Sequence, residues 1–430
     1  MTLPSTADVI VVGSGITGAA TAAAAAARGA SVVLIDKEEG PAREGSGRAQ
    51  GSLRVQGRHG AEFPLAQEAV RLWTEAAEDG DFEMVTGGNL YFRTTDEELP
   101  VLRHLVDEAH RAGLTDVELL DAERTREIIP CATGPFQGAM WSPVDAACQP
   151  EKGTAYYVER ARRAGAHIAH GVKVTRLLEA GGRITGVDTT AGPVQGPAVV
   201  VGAGVWTPHL TRTVGLKVPI MPVIMSELET EPVEPLFTQT IRAFGFGARQ
   251  RPCGRVVVSA GLNAKVTHDV TLADLNGLRL WLPRALSFRK NLKLHLDTRR
   301  VLQQIRHRST LSTGLVPDIS PEPWVDRPLV DASLARLSNV IPELRGARAE
   351  RYWGGLVDIT PDGLPVIDGK AGPTGLTIIT GLSGHGFTLG PVLGEIATDL
   401  SLEGRTNRPI DDFALARFTE GSVARPEMMI

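Results

Sequence analysis

The stretch Asp8–Asp36 reads DVIVVGSGITGAATAAAAAARGASVVLID and decides the fold. Its first residues are apolar and β-branched and end at Gly13, which indicates a short buried strand. The alanine-rich run after the glycines predicts a helix that ends at Gly29. A second aliphatic run ends in Asp36. A strand, a glycine-rich turn, a helix and a strand that ends in an acid are typical of a dinucleotide-binding unit.

Each glycine of the turn has a separate role in such a unit. Gly13 permits the tight turn, Gly15 lets the backbone approach a pyrophosphate, and Gly18 lets the helix pack closely on the strand. The helix N-terminus offers N–H groups and a positive dipole end to the phosphates. Asp36 stands where these units hydrogen-bond a ribose hydroxyl. We therefore predict a bound dinucleotide, with a glycine turn that holds no ligand as the weaker alternative.

Composition excludes several classes of protein. The 430-residue chain has 45 Lys and Arg against 50 Asp and Glu, and its net charge of -5 argues against a general nucleic-acid binder. Three scattered cysteines, Cys131, Cys148 and Cys253, predict neither a disulfide framework nor a metal site and favour a reducing, cytoplasmic location. No signal peptide or transmembrane segment is expected, because no apolar run has the required length or flanks.

Strand-type runs at both ends of the chain share the character of the first unit, whereas the middle differs. Ala198–Gly204 and Gly375–Gly381 indicate further buried strands, each followed by a glycine turn. Beyond Pro219, short alternating runs with prolines predict an antiparallel sheet. The predicted fold class is α/β combined with α+β: a discontinuous, Rossmann-like cofactor domain with a mixed sheet, and a second domain for the substrate. The cofactor domain is predicted to comprise residues 1–85, 145–215 and 345–430, and the substrate or cap domain residues 86–144 and 216–344.

Five motifs give the chain a family resemblance: Gly13–Gly18, Gly45–Arg54, Gly202–Trp206, Trp353–Gly363 and Gly381–Phe387. With these motifs the sequence resembles the FAD-dependent amine oxidoreductases that include D-amino acid oxidase, glycine oxidase and sarcosine oxidase. It is most similar to the branch that contains the sarcosine oxidase β-subunit and opine or hydroxyproline dehydrogenases. The first motif occurs in many nucleotide-binding proteins, whereas the last two favour FAD over NAD.

The resemblance implies a noncovalently bound FAD that extends along both halves of the chain. Asp36 would hold the adenosine ribose, Val174 would meet the adenine through its backbone, and Gly51 and Ser52 would reach the flavin. A helix that starts near Leu389 would aim its N–H groups at the flavin N1 and C2 oxygen, where negative charge develops on reduction. The implied cofactor-binding residues are Gly13, Gly15, Ile16, Thr17, Gly18, Asp36, Lys37, Ser46, Gly47, Arg48, Gly51, Ser52, Val174, Gly204, Trp206, Gly355, Ser383, Gly384, His385, Gly386, Phe387 and Thr388.

Three positions depart from relatives within that family. Gly355 matches the cysteine that carries the flavin in covalent sarcosine oxidases, so the resemblance implies no covalent link there. Val357 stands where glycine oxidase has its carboxylate-binding arginine, and Thr388 stands where monomeric sarcosine oxidase has a lysine that promotes reaction with oxygen. The resemblance therefore favours a dehydrogenase over simple glycine-oxidase chemistry.

Two side chains are the candidate catalytic residues. Arg54, at the end of the loop that would reach the flavin, could hold a substrate carboxylate with its forked guanidinium, although a structural salt bridge is the alternative. His385 could orient the flavin or could be a satisfied structural histidine. Arg58 is a weaker candidate than Arg54. Asp358 could meet a substrate ammonium group, but a turn role is favoured.

The expected activity is oxidation of the C–N bond of a small amino acid or N-substituted amino acid by hydride transfer to flavin N5. D-amino acids, sarcosine, proline derivatives and opines are the expected substrates, and the product is an imine. The alternative is a flavin-carrying subunit of a hetero-oligomeric dehydrogenase that serves mainly in electron relay and assembly. A nicotinamide-dependent enzyme is a third hypothesis.

The stretch Leu278–Arg300 mixes leucines with basic residues and has two interpretations. It could cap the sheet of the second domain with its charges in solvent. It could instead be a docking face for another subunit, an electron acceptor or an anionic membrane surface. Under the second interpretation the protein would form a homo- or hetero-oligomer or associate with a membrane.

Overall fold

The computed structural model describes residues 3–261, 266–269, 281, 286, 289, 292–295 and 322–420. Most of the predicted docking stretch Leu278–Arg300 therefore lies outside the described residues. No helix within these ranges is both long enough and apolar enough to cross a membrane.

The helices that lie wholly within the described ranges are α1 (Ile16–Ala27), α2 (Phe63–Ala76), α3 (Glu98–Arg111), α4 (Ala122–Ile128), α5 (Pro150–Arg163), α6 (Thr207–Thr211), α7 (Arg327–Val340), α8 (Gly386–Glu403) and α9 (Arg417–Glu420). The strands are β1 (Val9–Val12), β2 (Val32–Ile35), β3 (Ser52–Leu53), β4 (Asn89–Arg93), β5 (Glu118–Asp121), β6 (Gly138–Ser142), β7 (Ala146–Ala147), β8 (His167–Ala169), β9 (Val174–Ala180), β10 (Arg183–Thr189), β11 (Val194–Gln195), β12 (Ala198–Val201), β13 (Met221–Thr230), β14 (Thr240–Ala243), β15 (Phe246–Gln250), β16 (Val256–Ser259), β17 (Val266–Asp269), β18 (Leu292–His295), β19 (Ala349–Ile359), β20 (Val366–Asp368) and β21 (Leu376–Thr380).

The first sheet has the order β20-β21-β12-β1-β2-β8. All neighbours are parallel except β20 and β21, so the sheet is mixed. Its strands β1, β2, β12 and β21 are fully buried, because α1 and α8 pack on one face of the sheet and the sheet of β9, β10 and β11 packs on the other. This arrangement is the predicted cofactor-type sheet, built from strands near both ends of the sequence and from β8 and β12 in its middle.

The α1 helix packs directly on α8, and both run along this sheet. Small residues make the close approach possible: a Cβ on Gly390 would lie 2.3 Å from Ile16, and one on Gly394 would lie 2.6 Å from Ala20. The buried alanines of α1 complete the contact. The alanine run therefore serves close helix packing as well as helix propensity.

The second large sheet contains ten strands in the order β18-β17-β13-β16-β15-β14-β4-β6-β5, with β19 paired to β13. Most neighbours are antiparallel, whereas β4 with β14 and β17 with β18 are parallel. The predicted fold class is confirmed by this sheet and the first one. Strand β19 belongs to the large sheet, although its residues fall in the range 345–430 that the sequence assigned to the cofactor domain; the domain limits themselves stay a prediction.

Helices α2 and α8 both contribute to the core. Leu65, Ala69 and Trp73 recur at helical spacing and form the buried face of α2. The C-terminal helix begins at Gly386 instead of near Leu389. Its first turn is consequently closer to the glycine bend at residues 381–384.

Candidate functional site

A cleft of about 290 Å³ connects the two large sheets. At one end it is lined by Asp36, Val174 and Trp206, which follow or flank strands of the first sheet. The glycine turn and the loop 45–54 form its middle. At the other end it is lined by residues of the ten-stranded sheet, namely Met225, Glu227, Arg242, Ser259, Gly355 and Val357. The cleft is therefore long and joins the predicted nucleotide-binding turn to the predicted substrate sheet.

The glycine turn is shaped by close backbone contacts. Gly13 has φ +106°, and a Cβ there would lie 2.5 Å from the carbonyl oxygen of Gly202. A Cβ on Gly18 would lie 1.8 Å from the carbonyl oxygen of Gly13, so only glycine permits this approach of α1 to the strand. Gly15 faces the cleft, and Gly18 packs behind it. These are the positions that the sequence assigned to each glycine.

Asp36 follows β2 and faces the cleft from a half-buried position. Its carboxylate accepts hydrogen bonds from the backbone N–H groups of Ser14 and Glu38. Burial raises its pKa to about 6, although these two hydrogen bonds favour the charged form. The acid is thus held at the mouth of the glycine turn, where a ribose hydroxyl could reach it.

The loop Gly45–Arg54 bends back over the glycine turn. The Ser46 hydroxyl accepts the Ile16 N–H at 2.9 Å, so it is placed at the N-terminus of α1. Arg48 faces the cleft, and its guanidinium forms an ion pair with Glu322 at 2.7 Å and donates to the Gly354 carbonyl. Gly47 lies behind the lining, since a Cβ there would be 1.8 Å from the Ala42 carbonyl oxygen.

The lining also carries buried polar atoms that have no hydrogen-bond partner among the described residues. They are Nε2 of Gln50, Oγ of Ser52 and Oε2 of Glu227. Buried polar groups are nearly always satisfied, so these atoms indicate a polar occupant of the cleft. Together with the glycine cradle and the cleft-lining first residues of α8, Gly386 and Phe387, they fit a dinucleotide that ends in a polar ring system.

The bend that precedes α8 is held by internal hydrogen bonds. Asp358 accepts the Gly381 N–H at 2.6 Å and the Thr380 hydroxyl, so its side chain supports this bend and not the adjacent turn at residues 360–363 that the sequence favoured. Ser383, at φ +48°, donates its N–H to the Asp358 carbonyl and is not part of the cleft lining. Thr388 lies in the first turn of α8, also behind the lining, and its hydroxyl donates to the Ser52 carbonyl.

His385 lies outside the lining and is bonded to a carboxylate. Its Nδ1 is 2.9 Å from Glu62 Oε1, and Glu62 is 3.5 Å from the guanidinium of Arg58. Burial lowers the pKa of His385 despite the opposing effect of Glu62, so the imidazole is neutral and donates from Nδ1. Its Nε2 is buried and has no partner within the described part of the chain. A flavin contact of His385 stays a prediction.

Arg54 and Arg242 form the positive part of the cleft. Arg54 follows β3, Arg242 lies in β14, and both line the cleft. Neither guanidinium has a carboxylate within 4.0 Å in the described ranges, and Arg54 is only 8% exposed. Burial and the positive charges of Arg242 and Arg58 lower the pKa of Arg54. The two arginines thus offer hydrogen-bond donors to an anion.

A family model described as FAD dependent oxidoreductase (DAO) matches residues 8–400. The chain belongs to this family. Its cofactor is therefore FAD, and the resemblance seen in the sequence is confirmed at the level of the family. The glycine turn, Asp36, Gln50 and Ser52 are the residues that would hold FAD in this FAD-dependent oxidoreductase.

Two curated relatives and one solved structure illustrate the similarity. Glycine oxidase from Pseudomonas putida is 23% identical, and the match covers 91% of this chain and 94% of that protein. N-methyl-L-tryptophan oxidase from Salmonella arizonae is 25% identical over 96% of this chain and 99% of that protein. The structure of L-amino acid deaminase from Proteus myxofaciens in complex with anthranilate superposes with a TM-score of 0.86 at 23% identity, covering 97% and 95% of the two chains.

Sequence reasoning missed Arg242 and Glu227, which lie in the lining at the substrate-sheet end. A usable signal was present, because each is a charged residue inside a strand that is mostly buried: Thr240–Ala243 for Arg242 and Met221–Thr230 for Glu227. A charge in a buried strand needs a partner or a function. Only the strand pairing places both on the cleft that Arg54 enters.

Proposed function

We propose that this FAD-dependent oxidoreductase oxidises the C–N bond of a small amino acid or N-substituted amino acid to an imine, with the substrate carboxylate held by Arg54 and Arg242. The observation that carries the proposal is the pair of guanidinium groups on the cleft without a carboxylate partner among the described residues. Guanidinium groups bind carboxylates through forked, charge-assisted hydrogen bonds. An amino acid supplies such a carboxylate next to its C–N bond.

The local charge balance supports an anionic substrate. Arg54, Arg58 and Arg242 provide three positive charges, whereas the buried neighbours Glu62 and Asp145 provide at most two negative ones. Burial raises the pKa of Asp145 to about 6, so it is largely ionised at neutral pH. One positive charge remains unbalanced in a buried setting, and a single substrate carboxylate would neutralise it.

The bound isoalloxazine supplies a hydride acceptor for the substrate C–H bond. The chain contributes position and electrostatics: the arginines would fix the carboxylate and thereby the Cα. The first residues of α8, Gly386 and Phe387, line the cleft, so the positive end of this helix would stabilise negative charge there. Water then hydrolyses the released imine.

The names of the relatives are consistent with this proposal. Glycine oxidase and N-methyl-L-tryptophan oxidase are both named for amino-acid substrates, one with a primary and one with a methylated amine. The alternative of an electron-relay subunit depends on the stretch Leu278–Arg300, which lies mostly outside the described residues.

Substitution of the two arginines tests the proposal. Arg54→Ala and Arg242→Ala should each raise the substrate concentration needed for half-maximal anaerobic flavin reduction by about 10- to 100-fold, because charge-assisted hydrogen bonds are lost. Lysine at either position should restore the affinity only in part, since the fork is lost.

The matched control is Arg176→Ala, which removes an exposed arginine paired with Asp188 away from the cleft. It should leave flavin reduction unchanged. If both cleft variants reduce their flavin at the same substrate concentrations as the parent protein, the arginines do not bind the substrate.

A further inference from the structure

Glu227 is a buried carboxyl group at the cleft for which the proposed carboxylate site has no use. It lies in the centre of the ten-stranded sheet, in β13, paired with Trp353 of β19 on one side and Ser259 of β16 on the other. The residue lines the cleft and is 5% exposed. Met225, two residues earlier, lies on the same face of β13 and also lines the cleft.

The carboxyl group makes no hydrogen bond within the described ranges. Its Oε2 is buried without a partner. The positive charge of Arg249 acts on this carboxyl group. The Arg249 guanidinium, however, already donates to the Gln50 carbonyl and to Gln149 Oε1. A buried carboxylate without hydrogen bonds is costly, so its position on a ligand cleft indicates that a cationic ligand group completes it.

Glu227 is also distinct from the arginine group. The charges that act on Arg54 and Arg242 are those of Arg58, Asp145, Glu62 and Tyr91, whereas among the described residues the charge that acts on Glu227 is that of Arg249. The cleft thus carries a positive part and a separate acidic part. A zwitterionic amino acid has the same two charges, separated by its Cα.

From this arrangement we infer that Glu227 binds the substrate amino group and accepts a proton from it, so that the enzyme selects amines over isosteric ethers and alcohols. The inference rests on the proposed function. When the ammonium group binds, the protonated Glu227 carboxyl group first loses its proton to water. One N–H bond of the ammonium group then breaks and one O–H bond forms on the Glu227 carboxylate, so that one proton in total is released on binding. No electrons change hands in this step, and the amine that remains has the free lone pair that C–H oxidation requires. The proton later returns to water.

The test compares amino acids with analogues in which oxygen replaces nitrogen. The pairs are sarcosine with methoxyacetate, L-proline with L-tetrahydrofuran-2-carboxylate, and D-alanine with D-lactate. Dissociation constants are measured on the FAD-loaded protein from the change in the flavin absorption spectrum, under anaerobic conditions at a temperature where turnover is slow. Each analogue keeps the carboxylate, so it reports the arginine site alone.

Some of these pairs will bind to the parent protein. In each such pair the amino acid should bind more tightly than its oxygen analogue. Glu227→Gln should raise the dissociation constant of the amine by about tenfold or more. The dissociation constant of the oxygen analogue should change by less than about threefold. Glu227→Asp, which retains the charge at shorter reach, should restore part of the preference. Glu229→Gln is the control, because Glu229 lies on the same strand but pairs with Arg251 outside the lining.

Calorimetry gives a second readout that does not depend on activity. Titration at pH 7 in buffers of different ionisation enthalpy should show release of about one proton when an amine binds to the parent protein and none when its oxygen analogue binds. The inference would be overturned if Glu227→Gln weakened the binding of amine and oxygen analogue equally. It would also be overturned if the variant released as many protons as the parent protein when an amine binds. Failure of every amine and every analogue to perturb the flavin would instead refute the carboxylate site of the proposed function.

Discussion

Removal of the Glu227 charge should stabilise the folded protein at alkaline pH. Burial raises the pKa of this carboxyl to about 8, against 4.5 for an ordinary glutamate. Between these two values the folded state binds more protons than the unfolded state, so the free energy of unfolding falls as the pH rises. The difference of about 3.5 pKa units corresponds to a contribution of about 5 kcal/mol to the free energy of unfolding. This contribution is present below pH 4.5 and is fully lost once the pH exceeds 8.

The substitution Glu227→Gln removes this titration and leaves a polar group of similar shape. Its amide remains without a partner, which lowers stability by a constant amount of about 1–3 kcal/mol. We compare the unfolding free energy of the variant with that of the parent at each pH. The value for the variant minus that for the parent should rise by several kcal/mol between pH 5 and pH 9.

Urea unfolding of the FAD-saturated proteins at pH 5, 7 and 9 measures this difference, because titrations of all other groups cancel between variant and parent. Glu229→Gln serves as the control: it breaks an ion pair with Arg251 at 2.8 Å and should destabilise the protein. A difference between Glu227→Gln and the parent that stays constant from pH 5 to pH 9 would refute the view that Glu227 is buried without a partner.

Other changes follow from the packing of the site. Gly18→Ala places a Cβ 1.8 Å from the Gly13 carbonyl oxygen and should reduce the flavin content of the purified protein. Flavin content is measured from the visible absorption per chain. A variant with the full flavin content of the parent would contradict the close approach of α1 to the glycine turn. Trp73→Ala removes a side chain with no exposed surface and should lower the free energy of unfolding by about 3–5 kcal/mol in denaturant titrations, and a loss below 1 kcal/mol, roughly, would speak against its place in the core. Glu62→Gln leaves the buried guanidinium of Arg58 without its carboxylate and should cost about 3–5 kcal/mol of stability, whereas an unchanged midpoint would argue against this ion pair.

Local patterns carried the fold prediction, while the site required long-range contacts. The strands and helix of Asp8–Asp36 are set by neighbouring residues, so periodicity and the glycine spacing were sufficient to predict them. The glycines beside His385 suggested a flavin contact, yet the imidazole bonds to Glu62, which is 323 residues away in the chain. No local pattern reports such a pairing. Arg242 and Glu227 likewise reach the cleft only through the register of the large sheet.

The limits of the substrate sheet were less predictable for a related reason. Strand β19 pairs with β13 along ten residues, but its sequence Ala349–Ile359 lies close to the cofactor-type strands β20 and β21. Proximity in the chain suggested one domain, whereas hydrogen bonding places β19 in the other sheet. The crossing of the chain at this point brings Gly355 and Val357 to the cleft.

The most direct test of the central claim is anaerobic reduction of the bound flavin by amino acids and by the matching amines that lack a carboxylate. Sarcosine, L-proline and D-alanine would be compared with dimethylamine, pyrrolidine and ethylamine. Our account predicts that at least one amino acid bleaches the flavin and that its decarboxylated counterpart does not, because Arg54 and Arg242 hold the carboxylate. Equal bleaching by the two members of a pair, or no bleaching by any of the amino acids, would contradict it.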